Sequence, residues 1–275
     1  MAKPLENGLI PPLDGSDGDV GVRVPEFYMC VKDTGTKYQL WISDFNIDGT
    51  FTRVHPFIIS HTKTMTRTRE DGKEEVFSAC IKPDDTRYLG GNKSSSVNAI
   101  KLQGRPRTGI NYDKANEFCA NRGDWVTMID YLEYCAIQAL CYIEYASFDN
   151  QAALNTNLTS DGFKQGGLGA GVTKDNVNEK CYLIGHQANT NNFITEFDFQ
   201  RGVYFIPNKV GSNKKDDYNW IGDSNGQDTD KAVRVLLLGG GANDGSWAGS
   251  GGFASHWIRS NSSARVGFFT TVKLD

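Results

Sequence analysis

The side chains best suited to chemistry concentrate near the carboxyl end of the chain, between Gly239 and Asn261. Seven of the fourteen residues from Gly239 to Gly252 are glycine, and short polar side chains and two tryptophans lie between and after them. Hydroxyl and amide groups form adaptable hydrogen bonds, and an indole ring supplies a large contact area at low entropic cost. Glycine permits the tight turns that such a loop needs. The composition therefore predicts a ligand-contacting loop; the alternative is a packed glycine-rich region with Trp247 and Trp257 in the core.

Weaker patterns elsewhere could hold an ion or a proton. Residues Asp223–Asp230 place oxygen-bearing side chains around a glycine, as a calcium loop does, but they lack the distal Glu of an EF-hand, so an Asx-rich turn is favoured. The run Gly166–Gly171 lacks the Lys-Ser/Thr of a phosphate loop and indicates a flexible loop. Glu144 lies in apolar helical sequence, where burial could raise its pKa, although a structural carboxylate is the commoner role. The histidines are scattered at His55, His61, His186 and His256.

Size and charge narrow the classes of partner. The chain has 275 residues and a net charge of −4, and a chain of this length buries about three-quarters of its unfolded surface without needing disulfides or metals. No basic block occurs, so nucleic acid and anionic membrane are poor candidates. No apolar run approaches the roughly 18 residues of a membrane span. CxxC and HExxH motifs are missing, so we expect no zinc and no other cofactor.

Six cysteines allow a disulfide framework, but free thiols are the favoured interpretation. Residues 1–19 contain no apolar signal-peptide core, so we expect the chain to fold in a reducing compartment. Three of the cysteines, Cys119, Cys135 and Cys141, lie in helix-like apolar sequence, where a free cysteine packs as a small hydrophobic residue.

Strand patterns dominate the first third of the chain. The segments Val24–Val31 and Lys37–Ile42 are β-branched, aromatic or alternating, and Asp33–Gly35 between them is typical of a hairpin turn. Further strands are predicted at Val54–Ser60 and Glu75–Lys82.

Two helices are predicted in the middle of the chain. Asn111 or Asp113 can cap the first, which should reach about Asn121 and end at Gly123 in a left-handed cap. Thr127 with Asp130 forms a capping-box signature for the second, which should extend to Phe148. Apolar residues at spacings of three and four predict its buried face, namely Leu132, Ala136, Ala139, Ile143 and Ala146.

A long loop excursion over 149–192 follows, and strands return at the end of the chain. They are predicted at Phe193–Phe199, Gly202–Ile206, Ala232–Leu238 and Val266–Leu274. This order indicates an α+β fold, with helices segregated from a mostly antiparallel sheet. Residues 1–19 are expected to be an arm or attachment segment, 20–99 a β-rich N-terminal part, and 100–275 a second unit.

The carboxyl-terminal motifs resemble those of the C-type-lectin fold of the formylglycine-generating-enzyme type. That signature has an Arg-Val, a Gly-Gly turn with Trp and a final Gly-Phe-Arg, and it corresponds here to residues 234–249 and 265–269. Gly123-Asp124-Trp125 and the helix end at 140–147 resemble the segment before the lectin core in phage and prophage structural proteins. Residues 54–58 resemble an N-terminal motif of those proteins. The sequence departs from the signature at Phe269, where the family has Arg, the usual polar anchor of the closing strand.

The resemblance implies a C-type-lectin-like ligand-binding domain over 100–275, with two helices, a mostly antiparallel sheet and long loop excursions, carried on the β-rich N-terminal part. In non-enzymatic relatives, which include retroelement-diversified variable proteins and tail receptor-binding proteins, the last stretch contacts the ligand. The corresponding positions here are Asn243, Asp244, Ser246, Trp247, Ser250, Phe253, Ser255, His256, Trp257 and Asn261.

The function that the resemblance implies is non-catalytic. The chain would be a phage or prophage virion protein of a tail or fibre, which binds a host-surface protein or glycan, contacts other virion proteins and forms a homotrimer. A structural decoration or adaptor protein is the alternative. The enzymes of this fold use a pair of cysteines near the carboxyl terminus, and no cysteine follows Cys181, which argues against a sulfatase-modifying activity.

Overall fold

The computed structural model describes residues 18–61, 63–77, 88–89, 91–92, 107–146, 193–200, 204–211, 219–220, 234–238, 253–262 and 267–274. Predictions for the arm before residue 18, the loop excursion over 149–192 and the Asp223–Asp230 loop lie outside the described residues. Over the part that is described, the chain is a mixed α+β protein with two helices and several mostly antiparallel sheets.

In the part of the chain that the structure describes, ten short strands precede the first helix. They are β1 Gly21–Val24, β2 Phe27–Asp33, β3 Tyr38–Ser43, β4 Thr52–Val54, β5 Phe57–Ser60, β6 Met65–Thr68, β7 Glu74–Phe77, β8 Tyr88–Leu89, β9 Gly91–Asn92 and β10 Arg107–Thr108. β2 pairs antiparallel with β3 and β4, and β6 pairs antiparallel with β7 and β8. The predicted hairpin turn between β2 and β3 is confirmed: the Gly35 N–H donates to Asp33 Oδ1 at 2.7 Å, and Gly35 has a φ of +79°.

Two of the predicted strands are each interrupted at a proline, and the first, Val24–Val31, is divided at Pro25 and Glu26 between the end of β1 and the start of β2. The predicted strand Val54–Ser60 is split into β4 and β5 at His55 and Pro56, because proline cannot donate a backbone hydrogen bond to a ladder. β6 was not predicted, since Met65-Thr66-Arg67-Thr68 has no apolar alternation. Its strand conformation is stabilised by hydrogen bonding to β7, which its own sequence pattern does not reveal.

The first helix, α1, spans Tyr112–Arg122 and begins as predicted. Asn111 is the N-cap, and its side-chain oxygen accepts a hydrogen bond from the Lys114 N–H at 2.9 Å. Gly123 ends the helix with a φ of +152° and a ψ of 157°. The positive φ explains the glycine, but the backbone is extended there and does not form the left-handed cap that was predicted.

Replacing Asn111 by alanine is expected to lower the free energy of unfolding by about 1 kcal/mol, because the Lys114 N–H loses its acceptor. Urea denaturation followed by circular dichroism measures this. Asn111→Asp is the matched control and should keep full stability, since aspartate caps equally well and favours the positive end of the helix. Equal losses in both variants would contradict the capping role.

The second helix, α2, spans Tyr131–Tyr145 and is capped by a residue other than the one predicted. Asp130 is the N-cap: Asp130 Oδ1 accepts from the Glu133 N–H at 2.8 Å, and Glu133 Oε2 accepts from the Asp130 N–H at 2.9 Å. Thr127 lies instead on strand β11, Val126–Met128. The capping box is therefore Asp130 with Glu133, three residues further along, and the helix ends at Tyr145 before the predicted Phe148.

The buried face of α2 agrees with the prediction only in its centre. Ala136 and Ala139 are fully buried, Leu132 is partly buried, and Ile143 and Ala146 are exposed. The buried stripe also contains Cys135, Gln138 and Tyr142, so it is rotated towards residues that the apolar spacing did not select. Gln138 tolerates burial because its side-chain amide donates to the Tyr142 hydroxyl at 2.6 Å.

The thiols on the two helices behave as the sequence indicated. Cys119 on α1 and Cys135 on α2 are free and buried, and Cys141 is free and half-buried. Burial raises the pKa of the Cys119 thiol to about 12. These side chains therefore pack as small hydrophobic groups, and the raised pKa leaves Cys119 with little thiolate character.

The last strand described, β17 Thr270–Lys273, lies inside a sheet built mostly from distant parts of the chain. The strand order is β1-β5-β17-β11, and β17 is antiparallel to both of its neighbours. A hydrophobic cluster joins β1, β2, β4 and β5 to α2, with Met29, Phe57 and Ala136 among its most buried members. The described residues of the predicted parts 20–99 and 100–275 therefore share a sheet and a core.

The strands between α2 and β17 form two further sheets. They are β12 Phe193–Gln200, β13 Tyr204–Gly211, β14 Asn219–Trp220, β15 Arg234–Leu238 and β16 Phe253–Ile258. β12 and β13 form an antiparallel pair, and β16 lies between β14 and β15. The predicted strands of this region are present with shifted ends. Among the described helices, neither is long and apolar enough to cross a membrane.

Candidate functional site

The described part of the predicted contact stretch includes β16, the central strand of the three-stranded sheet β14-β16-β15. β15 corresponds to the strand predicted before the stretch, and β16 pairs with it antiparallel, with Trp257 opposite Val235 and Phe253 opposite Leu238. The register shifts between Val235 and Leu237. The last part of β15 and the first part of β16 therefore bracket residues 239–252, where seven glycines lie.

The presence of β16 corrects the prediction that Gly239–Asn261 is one loop. Phe253, Ser255, His256 and Trp257 lie on this strand, and the exposed Asn261 follows it. The physical reason is local, since the glycines stop at Gly252 and the next residues include Phe, Trp and Ile, which favour strands. The other proposed contact residues, namely Asn243, Asp244, Ser246, Trp247 and Ser250, lie outside the described residues.

The end of the contact stretch is attached to the start of α1. The Tyr112 N–H donates to the Arg259 carbonyl oxygen at 3.2 Å, and Arg259 Nε donates to Asp113 Oδ1 at 2.8 Å. The Arg259 guanidinium also lies over the Tyr112 ring, 5.4 Å from its centroid. Arg259 and Asp113 are both about half-exposed. Three contacts of different kinds thus fix the chain immediately after β16.

Sequence reasoning did not connect Arg259 with Tyr112 and Asp113. The sequence offered one signal: Arg259 directly follows a stretch, Gly239 to Ile258, in which Asp244 is the single charged residue. Asp113 was considered only as a helix cap. The pairing spans 146 positions, so no local pattern could reveal it.

Replacing Arg259 by alanine is expected to lower the free energy of unfolding by about 0–1 kcal/mol, because ion pairs at exposed positions are well solvated. Urea denaturation measures the change. The matched control is Lys114→Ala, which removes the exposed ion pair with Glu117 within α1. A loss above about 2 kcal/mol for Arg259→Ala alone would contradict a surface attachment, because buried pairs are the ones with effects of that size.

The last strand β17 has polar anchors although the sequence has Phe269 where the signature that it resembles has Arg. The Phe268 carbonyl accepts from the Thr64 N–H at 2.8 Å, and the Phe269 carbonyl accepts from the Ile129 N–H at 3.1 Å. The hydroxyl of Thr270 lies 3.1 Å from that of Thr64. The hydroxyl of Thr271 donates to Glu133 Oε2 at 3.0 Å. Backbone and threonine hydrogen bonds therefore hold the strand on both sides.

Of the two glutamates on α2, Glu133 is the buried one. Its residue is only 6% exposed, and desolvation raises its pKa, partly offset by the hydrogen bond from the Asp130 N–H. Glu144, which the sequence analysis treated as a carboxylate that could be buried but is more often structural, is exposed. The apolar neighbours of Glu144 were misleading because Ile143 and Tyr145 beside it are exposed as well.

The remaining candidate metal- or phosphate-binding residues do not lie together in the part of the chain that the structure describes. His55 and His61 are exposed, and His186 and the Gly166–Gly171 run lie outside the described residues. Over the described segments, no three His, Cys, Asp or Glu side chains are close enough to hold a metal ion. Comparison with protein-family models, with curated proteins and with solved structures found no match.

Proposed function

We propose that this chain is a non-catalytic recognition protein of a phage or prophage virion, with a C-type-lectin-like fold. Its ligand is a host-surface protein or glycan, bound through the contact stretch 239–261. The observation that carries the proposal concerns the two ends of this stretch: β15 ends at Leu238, β16 begins at Phe253 and pairs with β15, and Arg259 directly after β16 contacts α1. Recognition loops are commonly presented by a sheet in this way.

The mode of binding follows from the side chains of the stretch. Ser, Asn and Trp offer hydrogen bonds and stacking surface. A single charge, Asp244, lies between Gly239 and Ile258, so contacts there would be mainly neutral hydrogen bonds and ring contacts. A neutral polar surface such as a glycan or a polar protein loop fits this chemistry. We further propose a homotrimer at a tail or fibre, because symmetric assembly multiplies weak single-site affinities.

An array of bacterial surface glycans and proteins tests the proposal. Wild-type protein should bind a restricted set of spots, and the variant with Asn243, Asp244 and Ser246 all changed to alanine should lose them. The control is Gln39→Ala, which removes an exposed polar side chain of β3. Equal binding by wild type and the triple variant would place recognition elsewhere on the molecule.

A structural virion protein, either a decoration protein or an adaptor, is the second candidate, and one observation favours it. Three large apolar side chains are exposed on β3 and the turn after it: Trp41 at 44%, Phe45 at 65% and Ile47 at 51%. Exposed apolar groups gathered in a short segment are typical of a protein–protein contact. Light scattering of wild type and Phe45→Ser tests whether this segment is an assembly surface: loss of the contact should lower the molecular mass of the wild-type assembly, and an unchanged mass would exclude it.

A further inference from the structure

The first turn of α1 contacts the chain that follows β16. In an α-helix the first N–H groups have no partner within the helix, so each needs an acceptor from elsewhere. On α1 the Asn111 side chain accepts from the Lys114 N–H, and the Arg259 carbonyl oxygen accepts from the Tyr112 N–H at 3.2 Å. The residue directly after β16 therefore completes part of the capping of α1.

Side chains strengthen this backbone contact. Arg259 Nε and Nη2 both donate to Asp113 Oδ1, and the guanidinium carbon lies 5.4 Å from the centroid of the Tyr112 ring. Asp113 is in the first turn of the helix, where the helix dipole also favours a negative charge. Because the ion pair is about half-exposed, its contribution to stability is small, and the contact can open without unfolding of the whole protein.

The contact with α1 lies between two of the residues that were predicted to bind ligand. Trp257 precedes Arg259 by two positions, and Asn261 follows it by two. Attachment of Arg259 to α1 therefore restricts the backbone next to both of them. A binding surface whose backbone is restrained before the ligand arrives loses less conformational entropy on binding, so the attachment favours binding.

We propose that Arg259, with Tyr112 and Asp113, is a positioning residue for the contact stretch, and that the stretch binds ligand only while Arg259 is attached to α1. This inference rests on the binding role proposed above. Linkage makes the effect reciprocal, because a ligand that binds only the attached form must hold Arg259 on α1. The opening equilibrium of the contact then falls by a factor of 1 + [L]/Kd, where [L] is the free ligand concentration.

Hydrogen exchange of the Tyr112 N–H measures the attachment in the free protein, because the Arg259 carbonyl oxygen is the acceptor of this N–H. In Arg259→Ala the exchange should be about two- to fivefold faster, the factor typical of one exposed ion pair. Lys114→Ala, which removes the exposed pair with Glu117 on the same helix, is the matched control and should leave the exchange unchanged. Equal exchange in Arg259→Ala and wild type would overturn the role of the Arg259 side chain.

The coupling to binding is tested with the glycan or protein from the strongest spot of the bacterial-surface array, added in soluble form at about ten times its Kd. Exchange of the Tyr112 N–H should then slow by about tenfold. The Thr34 N–H, which donates to the Lys37 carbonyl oxygen in the β2–β3 turn, is the reference and should exchange as before.

The outcomes separate the positioning role from the binding function. Binding without slower exchange at Tyr112 would overturn the positioning role and leave the binding function standing. Equal slowing at Tyr112 and Thr34 would indicate general stabilisation and would also exclude a specific coupling. If wild type binds no spot of the array, the binding function itself is contradicted, and the positioning role with it.

Discussion

Replacement of Phe57 by alanine is expected to lower the free energy of unfolding by about 3–5 kcal/mol, the usual cost of removing a buried aromatic ring. The Phe57 residue is 1% exposed. It lies on β5, where its backbone is paired with Val24 of β1 and Lys273 of β17. Its ring belongs to the hydrophobic cluster that includes Ala136 and Ala139 of α2. A cavity at this position therefore weakens contacts among elements far apart in sequence.

Urea denaturation measures the Phe57 effect, and Phe45→Ala is the matched control. The Phe45 residue is 65% exposed, so losing its ring should cost less than about 1 kcal/mol. Two probes should be followed, one reporting on the β2–β3 hairpin and one on α2. We expect Phe57→Ala to shift both transitions together, because the strands and α2 share a core. A shift in the hairpin alone would contradict that shared core and indicate independent unfolding of the two predicted parts.

Removal of both Trp247 and Trp257 is expected to weaken ligand binding by about a hundredfold or more, since buried tryptophans at binding interfaces commonly contribute 2 kcal/mol or more. Trp257 lies on β16 opposite Val235. The single variants Trp247→Ala and Trp257→Ala assign the loss to one ring or to both. The matched control is Trp125→Ala, which removes a 54% exposed tryptophan located just after α1 and outside the contact stretch.

The same variants distinguish recognition from packing. If the two rings contact the ligand, thermal unfolding of the double variant should stay close to wild type while affinity falls. If they form part of a packed core, the double variant should unfold at much lower temperature, because each buried Trp→Ala change costs about 3–5 kcal/mol. The unfolding temperature from a calorimetric scan and the affinity from the binding curve together distinguish the two outcomes.

Local signals in the sequence were sufficient for the β2–β3 turn and for the cap at the start of α1. The β2–β3 turn and the Asn111 cap depend on hydrogen bonds between residues two or three positions apart. The capping signature around Asp130 was found, but Thr127 was chosen as its first residue although Asp130 and Glu133 form the box. Short-range chemistry identified the motif and left its position ambiguous by three residues.

The contacts between elements far apart in the sequence could not be predicted from sequence patterns. The place of β17 between β5 and β11 depends on pairing across most of the chain. The burial of Glu133 rather than Glu144 depends on which face of α2 packs against the rest of the protein. The apolar spacing did not define that face, because it also contains Gln138 and Tyr142, whose polar groups can be buried since they form a hydrogen bond with each other. The contact between Arg259 and α1 arises only once β16 has formed.

The most direct test of the proposed binding role is a titration of immobilised bacterial surface ligand, selected on the array, with wild type, the Trp247→Ala/Trp257→Ala double variant and Trp125→Ala. We predict that wild type and Trp125→Ala bind alike and that the double variant, still folded, binds about a hundredfold more weakly or not at all. A folded double variant that binds as tightly as wild type would contradict the assignment of recognition to the contact stretch 239–261.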